Sequence, residues 1–413
     1  MLLPAPAGPA LLLLTLPLAS GGAGGPGGPG DGPSAPQEVD GSSLRAAVEA
    51  SEWWAKLRWR YEDRDDEARP EPDEDASLST VIGLRTAAWG ALRGLVEFTN
   101  VSQLGPDDEA LVVKGSEINR LQLEWQASEE QLLVLGRQRI RRGNGRWVCE
   151  RPWRMMEQNY DAATYAAKAG GVDWYAGLID NINTGLFEDK DLNAVLLDAQ
   201  GSFAPGAKWM AYLYDLDYPD GPAISKEVDA FESSTTAGLA LTGKTSDGPR
   251  YLRWRAEAAQ QTASHNNDSG LDELYAHAEL YAHRGPWHAG LGYEVFGGDG
   301  TNAVQFTLGR RHGLNGFTNR TARIPGDGLE EKLLEVGYDG GDWDLKALYR
   351  VFDAENAGLH YGDEFNLAFA TDLSEDTMLG IRYASYMGDE APADRANLGD
   401  DVQRFWIWLA TGF

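Results

Sequence analysis

The sequence predicts an all-β protein, a transmembrane antiparallel up-and-down β-barrel of about 18 strands with short periplasmic turns and long extracellular loops. Three features of the chain predict this fold. Apolar and polar residues alternate with period two over many segments, the links between those segments alternate between short and long, and the chain ends on an aromatic strand, QRFWIWLATGF. Alternation of this kind marks strands with two chemically different faces.

The N-terminal residues have the composition of a secretory signal. A ten-residue apolar block runs from Ala10 to Ala19 and is followed by small residues. Such a block is too short to span a bilayer. We therefore expect a signal peptide over 1–20, a Gly/Pro-rich disordered or periplasmic segment over 21–50, and an outer-membrane barrel over 51–413. No Lys or Arg precedes the apolar block, which leaves the cleavage site open.

Individual segments show the two faces directly. In AKLRWRYE, Leu57 and Trp59 share one face, while Arg58 and Arg60 share the other; YLRWRAEA and LYAHAELYAH sort in the same way. Each segment has about the length of a tilted membrane strand. The predicted strands lie near 53–62, 77–88, 90–100, 117–127, 130–140, 158–167, 172–181, 193–203, 206–218, 230–242, 249–261, 272–284, 286–296, 328–338, 342–353, 361–373, 376–387 and 402–413.

The links between the segments favour a membrane barrel over a soluble all-β fold. Short links such as 127–129 and 204–205 interleave with long ones such as 141–157 and 297–327, as expected when turns and loops lie at opposite ends of a barrel. The link 243–248 is longer than this rule prefers. A soluble sandwich or propeller also has many strands, but it predicts neither alternating link lengths nor a lipid-like face.

The terminal strand would close the barrel. Its odd-numbered residues from Phe405 to Phe413 form an apolar face that would meet lipid, and Trp406 and Trp408 fall on the lumen face. Pairing this strand with the first one would leave no open edge in the membrane. A C-terminal phenylalanine also resembles the insertion signal of bacterial outer-membrane proteins, which implies barrel-insertion machinery as a partner of Phe413.

Composition excludes several classes of function. With 64 acidic and 36 basic residues the chain has a net charge of -28, so no nucleic-acid partner is expected, because phosphate binding needs a basic surface. The single cysteine, Cys149, excludes an internal disulfide framework and a multi-cysteine metal site. Acid-rich loops such as EDKDLN and GGDGTN lack the ligand spacing of an EF-hand. We expect no cofactor and no metal.

Several stretches are similar to the alginate-export family of outer-membrane barrels. They are LGRQRI, RWVCERPWRMM, EQNYDAATY, WYAGLIDNIN and FTLGRRHGLNGF, which follow one another in that order over 135–317. The resemblance implies an 18-stranded, monomeric pore through which an acidic polysaccharide leaves the cell.

Basic and aromatic side chains on the predicted lumen faces are the candidate pore-lining residues. Arginine binds carboxylates through two parallel hydrogen bonds and stays charged at any working pH. Arg137 and Arg139 carry most weight because they lie in the family-like LGRQRI stretch. The alternative is that these cations pair with lumen acids such as Glu97 and Glu124 and only solvate the interior. The candidates are Arg58, Arg60, Arg85, Arg137, Arg139, Arg253, Arg255, Lys346, Arg350, Trp406 and Trp408.

The sequence therefore predicts a multi-pass protein of the bacterial outer membrane that passively exports an anionic polysaccharide such as alginate. A general or sugar-selective diffusion porin for small hydrophilic solutes is the alternative. A barrel hydrolase is a third possibility, but no serine occurs in a GxSxG context, and we expect no enzyme. Outer-membrane lipid and lipopolysaccharide would surround the barrel. The solute, the direction of flow and the presence of a plug stay open.

Overall fold

The computed structural model describes residues 43–107, 111–221, 223–224 and 230–413. The predicted signal peptide over 1–20 and most of the 21–50 segment lie outside these residues. The end of that segment forms helix α1, Leu44–Glu49, and Ser43 caps its N-terminus by accepting a hydrogen bond from the Ala46 amide. No helix among the described residues is both long and apolar enough to span a bilayer.

Eighteen strands, β1–β9 and β12–β20, form one antiparallel barrel, and the two-residue strands β10 and β11 form a small separate hairpin. The strands are β1 Glu52–Asp66, β2 Asp73–Arg85, β3 Leu92–Gln103, β4 Gly115–Ser128, β5 Gln131–Gln138, β6 Asn159–Ala169, β7 Val172–Asn183, β8 Asp189–Ala204, β9 Ala207–Asp217, β10 Ala223–Ile224, β11 Ala230–Phe231, β12 Ser234–Lys244, β13 Arg250–Ala263, β14 Asp272–Arg284, β15 Trp287–Phe296, β16 Leu329–Asp339, β17 Trp343–Asp353, β18 His360–Ser374, β19 Thr377–Gly388 and β20 Val402–Gly412.

The first and last strands close the cylinder. Strand β20 pairs with β1, for example Leu57 with Thr411 and Tyr61 with Ile407, and every other barrel strand pairs with its neighbours along the chain. The predicted fold class is confirmed, and the strand bounds agree with the predicted ranges to within four residues. Closure satisfies the backbone groups that an open sheet edge would expose to hydrocarbon.

The links lie at two ends of the barrel. One end has the turns 86–91, 129–130, 170–171, 205–206, 245–249, 285–286, 340–342 and 375–376. The other end has the loops 67–72, 104–114, 139–158, 184–188, 218–233, 264–271, 297–328, 354–359 and 389–401. Each loop is longer than the turns next to it along the chain, except that the loop 67–72 and the turn 86–91 both have six residues. Outer-membrane barrels place their turns in the periplasm and their loops outside the cell, and we name the two ends accordingly.

The outer surface of the barrel carries an apolar band. Leucine side chains on the neighbouring strands β13, β14 and β15, such as Leu252, Leu280 and Leu291, are exposed. A soluble monomer rarely exposes so extended an apolar surface, whereas a bilayer surrounds it with hydrocarbon. The exposed tryptophans near the periplasmic turns fit an interfacial girdle; they are Trp53, Trp89, Trp125, Trp174, Trp287 and Trp343.

A charged residue placed in the middle of this band tests the assignment of the lipid face. Leu291 lies at the centre of β15 and is 62% exposed. We expect Leu291→Arg to reduce the free energy of unfolding in a bilayer by about 2–4 kcal/mol, because the guanidinium would face hydrocarbon. Urea titration with heat-modifiable electrophoresis measures this change. The control is Asn193→Arg at the exposed extracellular end of β8, where we expect a change near zero; equal effects would contradict the assignment.

Candidate functional site

Two long loops, 139–158 and 297–328, fold into the lumen and pair with each other. Val148 and Leu308 form a parallel β-bridge, and the Cys149 amide donates to the Leu308 carbonyl at 3.1 Å. The Arg310 amide donates to the Gly145 carbonyl at 2.8 Å. Apolar side chains of both loops, Val148, Phe306 and Leu308 among them, join wall residues in a buried cluster. The loops thus narrow the extracellular half of the barrel, and we call this narrowed part the constriction.

Asn315 connects both loops to the barrel wall. Its side-chain carbonyl accepts a hydrogen bond from Arg146 Nη1 at 2.5 Å, and its amide donates to Glu331 at 2.8 Å and to Glu294 at 3.1 Å. Arg146 Nη2 also donates to Glu294 at 2.6 Å, and Arg350 pairs with Glu331. Since these groups are buried, each charge needs its partner to offset the cost of desolvation.

A second cluster holds the loops against β19, β20 and β1. Trp153 stacks on His312 with ring centroids 4.2 Å apart, and His312 stacks on Phe317 at 5.2 Å. Trp406 and Trp408, both on the lumen face of β20, meet Trp153 edge-on at 5.8 and 5.2 Å. The two predicted lumen tryptophans therefore pack against an inserted loop.

The His312 imidazole in this cluster is uncharged. Burial lowers the pKa of His312 well below its ordinary range, and the nearby Arg382 and Arg404 guanidinium groups lower it further. Arg382 Nη1 donates to His312 Nε2 at 2.7 Å, which places the remaining ring proton on Nδ1. The Arg382 guanidinium also lies 4.2 Å from the centre of the Trp153 ring.

Arg58 and Arg60 project from β1 into the lumen and bind loop backbone. Arg58 donates to the carbonyl of Pro152 at 3.0 Å and to that of Arg154. Arg60 donates to the carbonyl of Trp153 at 2.8 Å and lies 3.4 Å from Glu62. The direct partners of these two arginines are therefore mainly carbonyl groups, so a substantial part of their charge is not compensated locally.

The other predicted residues on the lumen face have acidic neighbours. Arg85 donates to Glu124 at 2.6 Å, and Arg139 pairs with Glu97 at 2.6 Å and with Glu157. On the opposite wall the pairs are Arg253–Glu279, Arg255–Glu257 and Arg350–Glu331. Lys346 is buried on β17, directly opposite Gly337 of β16. The alternative in which lumen cations neutralise lumen acids thus describes much of this set.

Arg137 takes an orientation different from the predicted one. On β5 it lies opposite Leu121 of β4, which is exposed on the outer face, so Arg137 points to the outer face as well. Its guanidinium contacts Glu117, Asp161 and Asp189 near the extracellular rim. Residues 132–135 are four consecutive apolar residues, so the sequence there does not show which side chains face lipid and which face the lumen. Arg139 follows the end of β5 and turns into the lumen.

A cavity of about 390 Å³ lies between the loop tips and the wall formed by β8, β9 and β12–β17. Asn144, Gly313 and Leu314 of the inserted loops form its extracellular side, and it extends toward the periplasmic turns at Lys208 and Lys244. Its charged lining comprises five cations and three carboxylates, which are Lys208, Lys244, Arg253, Arg255, Arg350, Glu279, Glu294 and Glu331.

Among residues 43–107, 111–221, 223–224 and 230–413, no group of three or more His, Cys, Asp or Glu could hold a metal ion.

Several residues of the constriction are absent from the predicted set. Arg146, Trp153, Arg310, His312 and Arg382 line or support it, and all except Arg382 lie in loops that were expected outside the barrel. The signal that could have found them is composition: the two loops are unusually rich in arginine and aromatic residues for solvated surface loops. Aromatic side chains are costly to leave exposed, and arginines can be buried where wall carboxylates pair with them.

No family model matches the sequence, and no curated protein matches it by sequence. Solved structures do match. The chain is similar to Pseudomonas aeruginosa OpdL, with a TM-score of 0.67, 17% identity, and coverage of 89% of this chain and 99% of that one. It is similar to P. aeruginosa OccK9 (OpdG), with a TM-score of 0.69, 15% identity and coverage of 89% and 99%. It is also similar to Acinetobacter baumannii OccAB4, with a TM-score of 0.67, 12% identity, and coverage of 88% of this chain and 98% of that one. The fold is that of these barrels.

This comparison corrects the family prediction. The similar structures are outer-membrane porins of the OccK and Opd type, with 18 strands, and not alginate-export proteins. The prediction that the chain is related to the alginate-export family is therefore wrong. The short stretches on which it was based are strand ends and arginine-rich lumen loops, and unrelated sequences can form both on the same barrel.

Removing the Asn315 side chain tests whether this residue holds the loops in place. We expect Asn315→Ala to destabilise the loop arrangement by about 1–3 kcal/mol, because Arg146, Glu294 and Glu331 would lose buried hydrogen-bond partners. Limited proteolysis of the folded barrel should then cut within 139–158 or 297–328 severalfold faster. Thr301→Ala, at an exposed position of the same loop, is the control. Unchanged cleavage in Asn315→Ala would contradict the assigned role.

Proposed function

We propose that the protein is an outer-membrane diffusion porin for small hydrophilic solutes, with a preference for anions. The observation that carries the proposal is the charge of the two inserted loops, which contain ten arginines and four carboxylates in a chain whose net charge is -28. Rings of basic side chains at a constriction favour anions in channels. The barrel likeness to small-solute porins supports the same class of function.

The lumen cavity adds a second line of support. A volume of about 390 Å³ is within the range of small-molecule sites, roughly 300–1,000 Å³. Lys208 and Lys244 are exposed at its periplasmic side, on adjacent strands. Lys244 reaches Asp247 at 3.3 Å, but that carboxylate is fully exposed to water, so the pairing is weak. The cations of the cavity therefore exceed its carboxylates, and guanidinium groups suit carboxylate solutes in particular.

Some of the acidic residues that set the net charge lie outside the cavity, at the extracellular rim. The extracellular loops 67–72 and 389–401 contain Glu67, Asp389 and Glu390, all near the outer rim. Charges exposed there are screened by salt beyond about 8–10 Å, while the charges around a narrow lumen are screened less. Selectivity would then follow the local charge of the constriction rather than the net charge of the chain.

Planar-bilayer recording tests the proposal. In a KCl gradient we expect the wild-type reversal potential to show anion preference. We expect Lys208→Gln combined with Lys244→Gln to lower the anion-to-cation permeability ratio by roughly two- to fourfold, because two cavity cations are removed. Small carboxylates should reduce the KCl current of the wild type more than that of the double variant.

The matched control is Lys332→Gln. Lys332 lies on the outer face of β16 near the rim, where it pairs with Glu330 and Asp353, and its loss should leave the permeability ratio unchanged. Cation preference in the wild type would refute the anion preference, and the absence of any current from correctly folded barrels would refute the porin.

A further inference from the structure

We propose that His277 is a selectivity-determining residue whose protonation strengthens the anion preference of the lumen cavity. The inference deepens the proposed porin function and rests on it. His277 lines the cavity from β14, and histidine is the side chain whose ordinary pKa, about 6.5, lies within the pH range that bacteria meet. The geometry around the imidazole carries the inference.

His277 lies where three arginine–glutamate pairs meet. It is directly opposite Glu257 of β13 and Glu294 of β15 in the sheet register, and its Nε2 is 3.8 Å from Glu279. Each of these carboxylates also has an arginine: Arg255 Nε donates to Glu257 at 3.0 Å, Arg146 to Glu294 at 2.6 Å, and Arg253 to Glu279 at 3.2 Å. The fixed charges nearest to the imidazole thus cancel in pairs.

A proton on His277 therefore adds a charge that is not cancelled by its surroundings. The titratable and charged groups that face the imidazole are Arg253, Arg255 and Glu257 of β13, Tyr275 and Glu279 of β14, Glu294 of β15, Glu331 of β16 and Arg146 of the 139–158 loop.

The two other histidines of this wall are less suited to the role. His283 stacks between Tyr251 at 4.1 Å and His288 at 5.4 Å. His288 is buried with Nε2 3.0 Å from Glu335, and a Cβ on the facing Gly337 would clash with its ring at 2.1 Å. Both rings are held in packed positions, whereas His277 borders the cavity through which a solute would pass.

The experiment compares reversal potentials at pH 8 and pH 5. For the wild type we expect the anion-to-cation permeability ratio to rise by roughly twofold at pH 5, because one unit charge is added next to the solute path. We expect His277→Gln to reduce this rise, so that the ratio changes less between the two pH values than it does in the wild type. We expect His277→Arg to show the higher ratio already at pH 8. Heat-modifiable electrophoresis confirms that each variant is folded.

His265→Gln is the matched control, because His265 pairs with Asp215 at 2.8 Å near the extracellular rim; its pH response should equal that of the wild type. A pH response in His277→Gln equal to that of the wild type would overturn the inference while leaving the porin intact, since the titration would then belong to the carboxylates. If the wild-type barrel conducts no ions at either pH, the proposed function itself fails, and this inference fails with it.

Discussion

The structure depends on one constraint, which is that no backbone amide or carbonyl can stay unpaired in hydrocarbon. An open 18-stranded sheet would expose two long edges, and the pairing of β20 with β1 removes both. Closure also explains the aromatic C-terminal strand, because its apolar residues face lipid instead of water. Closure and strand register together fix which strand residues point into the lumen.

A closed cylinder of this width has an interior that must be filled or solvated. This chain fills the extracellular half with two loops, and it does so with buried charges. Arg146, Asn315 and Glu294 illustrate the consequence, because each group would be costly to bury alone and becomes acceptable only when the others are present. The loops are consequently held in one defined arrangement, and the remaining space is a cavity with a definite charge.

The fold could be read from the sequence, whereas the constriction could not. Period-two alternation is a local property, so all 18 barrel strands were predicted to within four residues. The loop arrangement depends on pairs such as Arg146 with Glu294, which are 148 residues apart, and no local pattern encodes such a pairing. Arg137 shows the limit within a strand: its apolar neighbours do not alternate, and without alternation the sequence does not reveal which side faces lipid.

The net charge of the chain does not by itself determine which ions the lumen would favour. A solute in the lumen interacts most strongly with charges a few ångströms away, across protein and confined water, and only weakly with rim charges that salt screens. Lys208 and Lys244, which border the cavity, would therefore influence a passing ion more than Glu67 or Asp389. A strongly acidic porin can prefer anions for this reason, provided that its inserted loops supply the arginines.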